Sequence, residues 1–152
     1  MALAVLALAP AFAAPALDPA TGFIMAPDHA RDLLHQCSRN TPQGVTGTWQ
    51  PAAAQIADLE TRLPSAVVQA QPDVRGGYGR QYADYVINGQ KLIYVNAFPR
   101  GVLGDDFGKD PAVWNKATHQ AVTVCDGGHD FFGVLYDPET KTFSHFAFNG
   151  FA

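Results

Sequence analysis

The chain has 152 residues, 47% of them hydrophobic, 16% charged and 11% aromatic, with two cysteines. That length fits one domain, and this balance excludes wholesale disorder. The formal net charge of -4 argues against a basic nucleic-acid surface, and no apolar run approaches the roughly 20 residues of a membrane span.

Residues 1–13, MALAVLALAPAFA, carry no charge and are apolar apart from Pro10. The run 3–9 has the length of a secretory signal's apolar region and is too short to cross a bilayer. Ala11-Phe12-Ala13 places small residues where signal peptidase cuts, which predicts a mature start at Ala14. No Lys or Arg follows Met1, so the segment reads as a signal peptide that is clipped or mis-started. Export predicts a periplasmic or extracellular location. In that oxidising setting the only two cysteines, Cys37 and Cys125, are expected to form a disulfide. Closing so long a loop is worth roughly 4–5 kcal/mol in the chain-entropy model, an upper estimate.

Residues 14–27, with Pro15, Pro19 and Pro27, predict an extended lead-in, and 28–152 a single domain. Asp28 opens a short helix in which Ala30, Leu33, Leu34 and Cys37 recur at i, i+3, i+4 and i+7. Cys37 is therefore expected to point inward. Residues 43–50 read as a loop ending in Trp49. Pro51 begins a second helix with Ala52, Ile56, Leu59 and Leu63 on one stripe and Asp58–Arg62 as an outer i,i+4 pair. Pro64 is expected to end or kink it. Residues 71–79 read as a linker.

Beyond that point the texture changes to aromatics and Gly-punctuated turns, which is strand chemistry. Asn88-Gly89 predicts a two-residue type I′ hairpin between strands 80–87 and 90–98. Its register pairs Tyr85 with Leu92, Ala83 with Tyr94 and Tyr82 with Val95. One face then carries Tyr82, Val86, Ile93 and Val95, and the other Ala83, Tyr85, Ile87, Leu92 and Tyr94. Residues 99–118 form a long connection that Trp114 could anchor. Strands are expected at 121–125, 131–136 and 142–148, with a turn at 137–141.

The fold class is therefore α+β: two N-terminal helices packed on a four- to five-stranded antiparallel meander. This order resembles that of cystatin-like helix-on-curved-sheet domains, by architecture alone and with no shared motif. Two helices cover one sheet face, so the other is expected to be open to a partner or ligand.

Candidate chemistry is sparse. Asp126-Gly127-Gly128-His129-Asp130 reads first as a tight turn. Its functional reading is a polar site in which Asp126 or Asp130 orients His129 as a general base. A Cys125 nucleophile activated by His129 or His145 is removed if Cys125 pairs with Cys37. Asp105, Asp106 and Asp110 lack the spacing and closing Glu of a calcium loop and read as a solvated acidic loop. No zinc spacing, phosphate loop or Gly-x-Ser-x-Gly elbow is present, so neither metal nor cofactor is expected. Tyr82, Tyr85, Tyr94, Phe107 and Trp114 are the aromatic candidates for a binding surface.

Three functional readings follow. The first is an exported small binding protein, of the inhibitor or immunity type, acting on another protein through a protruding loop at 99–118 or 126–130. The second is a small-ligand carrier or sensor with a pocket between helices and sheet. The third is a small hydrolase centred on Asp126, His129 and Asp130, which requires His129 and a carboxylate to meet in a concave pocket. No nucleic-acid partner and no membrane span are expected.

Overall fold

The structure, a computed structural model, describes residues 22–104 and 109–151. The expected signal segment 1–13 lies outside the described residues, as do Asp105, Asp106 and Phe107.

The asparagine–glycine turn organises the sheet. Asn88 and Gly89 sit at φ 50° and 79°, and they join β3 (Tyr78–Ile87) to β4 (Gln90–Pro99) in the register expected. β5 (Phe132–Asp137) pairs antiparallel with β4, and β6 (Thr142–Phe148) antiparallel with β5. Two further strands share the outer edge of β3. β1 (Gly22–Ile24) runs parallel to Arg80–Tyr82, and β2 (Val45–Thr48) runs antiparallel to Tyr85–Ile87. Six strands thus form one mostly antiparallel sheet.

This corrects the expected meander in three respects. The strand count is larger, because β1 and β2 lie in segments read as lead-in and loop. At three and four residues they are too short to show alternation; pairing with β3 satisfies its outer backbone groups. Residues 121–125, expected as a strand, form no ladder. The helices, finally, are not confined to the N-terminal half. α1 (Ala53–Ala70) is the second predicted helix, but α2 (Pro111–His119) lies within the long connection. It begins at Pro111, with Asp110 Oδ1 accepting from the Ala112 amide at 2.8 Å. A short 3-10 turn, Arg100–Leu103, precedes it.

The first predicted helix is a 3-10 helix, Pro27–Leu34. Ala30 and Leu33, three residues apart, both turn inward, as three residues per turn requires. The Tyr85 hydroxyl donates to the Ala30 carbonyl, occupying an acceptor that an α-helix would use internally. The helix ends before Cys37, which is exposed rather than inward. α1 runs through Pro64 without ending there. Proline in a helix interior costs about 3 kcal/mol, but Leu63 and Val67 are anchored in the core on either side of it.

α1 packs on one sheet face. Ile56, Leu59, Leu63 and Val67 meet Tyr82, Ile93, Val95, Phe132, Val134 and Tyr136. The 3-10 helix covers the opposite face, where Ala30 and Leu33 meet Ala83, Tyr85, Leu92, Tyr94 and Leu135. α2 adds a smaller cluster in which Ala117 packs with Phe23 and Phe98, flanked by Trp114 and Phe131. The expectation of one uncovered sheet face is overturned at β3 and β4, which are buried on both faces.

Polar ties bind α1 to the sheet. The Tyr136 hydroxyl and Arg62 Nε both donate to Asp58 Oδ2. The bond from Arg62 and then that from Tyr136 hold the Asp58 carboxyl below its ordinary range. Burial, reinforced by Asp58, pushes the Tyr136 phenol up to about 12. Glu60 accepts from both Arg80 and the Tyr82 hydroxyl.

Candidate functional site

One end of the sheet gathers the residues after α1, the segment 120–131 and the chain after β6. Strand interiors normally exclude unpaired amides, yet β3 carries buried Gln81 and β4 buried Asn96. Each finds its partners in the segment 117–122. Gln81 Nε2 donates to the carbonyls of Ala117 at 2.6 Å and Gln120 at 2.7 Å, and its Oε1 accepts from the Val122 amide at 2.8 Å. Asn96 Nδ2 donates to the Val122 carbonyl and to Gln81 Oε1, both at 3.0 Å. Asn149, just past β6, continues the pattern, donating to the carbonyls of Val124 at 2.7 Å and Asp126 at 2.8 Å. Side-chain amides therefore satisfy the backbone that a strand at 121–125 would have satisfied by a ladder.

Arg39 joins the two ends of this row. It is 9% exposed, and its guanidinium donates to Asn149 Oδ1 at 2.6 Å and to Asn96 Oδ1. Beside it, Cys37 and Cys125 form the expected disulfide, with their Cα atoms 4.9 Å apart and a sequence separation of 88. Both cysteines are exposed.

From this anchorage the loop 125–130 emerges. Gly127 and Gly128 take φ of 94° and 61°, a region that disfavours side chains. A Cβ on Gly127 would lie 2.5 Å from the Phe131 ring, and one on Gly128 2.1 Å from the Phe151 ring. The Gly128 amide donates to the Gly150 carbonyl at 3.0 Å. Residues 125–127 remain exposed, and Phe151, over Gly128, is 74% exposed. The tip is thus exposed and partly apolar.

His129 does not meet a carboxylate. Its ring bonds the Gln71 side-chain amide and lies edge-on to Phe148 and Phe151, at centroid distances of 5.6 and 5.0 Å. Asp130 Oδ1 accepts from the Arg75 amide at 3.2 Å, which ties the 71–77 loop to the site. Asp126 engages Asn149 through its backbone, and its residue is exposed. The structure therefore brings Asp126, His129 and Asp130 into one loop without a base–carboxylate pair. Four clefts among the described residues, of about 480, 260, 210 and 430 Å³, are lined by other residues.

The aromatic candidates separate differently. Tyr82, Tyr85 and Tyr94 are at most 1% exposed and belong to the core, so none is a surface anchor. Trp114 is half-buried against the α2 cluster. Residues that sequence reasoning missed at the site are Arg39, Gln71, Arg75, Gln81, Asn96, Asn149 and Phe151. The polar pair Gln81 and Asn96, directly opposite each other in the hairpin register, was the available signal. Among the described residues, no three His, Cys, Asp or Glu side chains form a group that could hold a metal.

No family model matches the chain, and no curated protein or solved structure shows a significant match to it.

Proposed function

We propose that the chain is an exported binding protein of the inhibitor or immunity type, which engages another protein through the loop 125–130 and the adjoining Gly150-Phe151. One observation carries this reading: the loop is exposed at its tip yet anchored from four directions. The disulfide, the Asn149 bonds, the His129–Gln71 contact and the Asp130–Arg75 bond each restrain it. A loop ordered before contact loses little entropy on binding, which is the physical requirement of a tight protein ligand. A disulfide is at home in an oxidising compartment, and no described helix is long and apolar enough to cross a membrane; both are compatible with export.

The experiment is capture from periplasm and culture medium on immobilised protein, run beside Asp126→Arg. Asp126 is exposed and its side chain ties down nothing, so the variant is expected to melt with the parent. Loss of one discrete captured protein, with melting unchanged, supports the loop as the contact surface. Equal capture by both forms contradicts it.

A further inference from the structure

A cleft lies away from this loop, at the hairpin end of the opposite sheet face. It measures about 480 Å³ and runs between the segment 40–43, the tip of the β3–β4 hairpin and the bulged part of β6. That volume falls within the roughly 300–1,000 Å³ of small-ligand sites. Its buried floor is aliphatic, Ile87, Leu92 and Leu135, and Pro42, Phe146 and Ala147 complete the apolar lining.

Its rim is polar and carries no formal charge. Asn40, Gln43, Asn88 and Gln90 supply side-chain amides, Thr41 a hydroxyl and His145 an imidazole; no Asp, Glu, Lys or Arg lines it. Charged groups of the hairpin end, Lys91, Asp137 and Glu139, line a separate cleft of about 260 Å³. Each amide both donates and accepts. Thr41 gives its proton to the Leu34 carbonyl at 2.8 Å, which leaves its oxygen free to accept. An ionic ligand would lose its hydration here without meeting a countercharge, and a wholly apolar one would strip water from the amides without replacing it.

His145 is the second observation. It occupies φ 56°, an uncommon conformation for a residue other than glycine. It does so inside a register shift, where Gly133 pairs with Ala147 but Leu135 with Ser144. Such bulges re-aim side chains, and backbone strain of this kind collects at ligand sites.

We propose that this cleft binds a neutral sugar, its hydroxyl and acetamido groups on the amide rim and its C–H face on the aliphatic floor. The site is independent of the protein-binding loop, and its failure leaves that reading untouched. The probe is N,N′-diacetylchitobiose, titrated into the full chain and followed by backbone amide shifts. Neutral acetyl-peptide amide and free phosphate are run in parallel. Two variants accompany it: Gln90→Leu, which removes an exposed rim amide, and His145→Gly, which suits φ 56° and is expected to fold at least as well as the parent. Saturable shifts at residues 40–43, 88–90 and 145–147, weakened at least tenfold in both variants, are the expected result. No saturable shift with the sugar, a response only to the peptide or phosphate, or binding that both variants retain would overturn the proposal.

Discussion

Arg39 and Asn149 stand 110 residues apart in sequence and meet in a buried hydrogen bond of 2.6 Å, Nη1 donating to Oδ1. The same Asn149 amide nitrogen holds the carbonyls of Val124 and Asp126. One side chain therefore locks the start of the exposed loop to a buried guanidinium.

Asn149→Ala leaves Arg39 with one amide fewer and two carbonyls without a donor. A cost of about 2–3 kcal/mol is expected in denaturant melts. Asn149→Asp separates the two roles. Its carboxylate still accepts from Arg39 but cannot donate to the carbonyls, so amide exchange at residues 124–130 should quicken while global stability falls less than in the alanine variant.

The disulfide is expected to act on stability more than on architecture. Mass spectrometry should show the loss of two hydrogens from the cysteine pair, and two free thiols would contradict the pairing. Replacing Cys37 and Cys125 by Ser removes a long-loop constraint worth up to roughly 4–5 kcal/mol. The Gln81, Asn96 and Asn149 bonds remain, so the amide shifts of β3 and β4 should stay in place in the variant as melting drops.

Gly127 is required twice over, by φ 94° and by the Phe131 ring. Gly127→Ala is expected to cost about 1–3 kcal/mol. Gly76, with open space around it and no left-handed φ, is the control, and Gly76→Ala should change stability by well under 1 kcal/mol. Equal melting of the two variants would show that the loop does not hold this conformation.

Asp84 makes stability depend on pH. It is 7% exposed, its Oδ1 has no partner, and burial pushes its carboxyl from 3.8 to about 7. The unfolded chain releases this proton first, so stability falls as pH rises from about 4 to about 7 and is flat above. Asp84→Asn removes that slope. Its advantage over the parent should grow by up to about 4 kcal/mol between pH 4 and pH 8, read from denaturant melts at each pH.

What was legible in the sequence, and what was not, follows from how local each signal is. Asn88-Gly89 with apolar runs on both sides specifies a hairpin and its register, because a two-residue turn leaves no slack. The α1 stripe Ile56, Leu59, Leu63 was likewise readable, and Val67 extends it past Pro64. β1 and β2 were not, since their stability comes from the β3 edge and not from their own composition. Residues 121–125 have strand-like apolar character, but the donors and acceptors that claim their backbone sit at Gln81, Asn96 and Asn149, far away in the chain. Tyr82, Tyr85 and Tyr94 read as interface aromatics if one sheet face is open, but both faces of the hairpin are covered and all three lie in the core. At the loop, the Asp-Gly-Gly-His-Asp composition marked a turn correctly. Its partners Gln71, Arg75 and Phe151 belong to other segments and carried no local mark.

The central claim is that loop 125–130 is held in one shape before anything binds it. Backbone ¹⁵N relaxation of the free, oxidised protein tests this most directly. The account predicts order parameters for residues 126–130 near the roughly 0.85 of rigid backbone, matching β4 and β5. Values below about 0.6 across the loop, with the strands rigid, would contradict it.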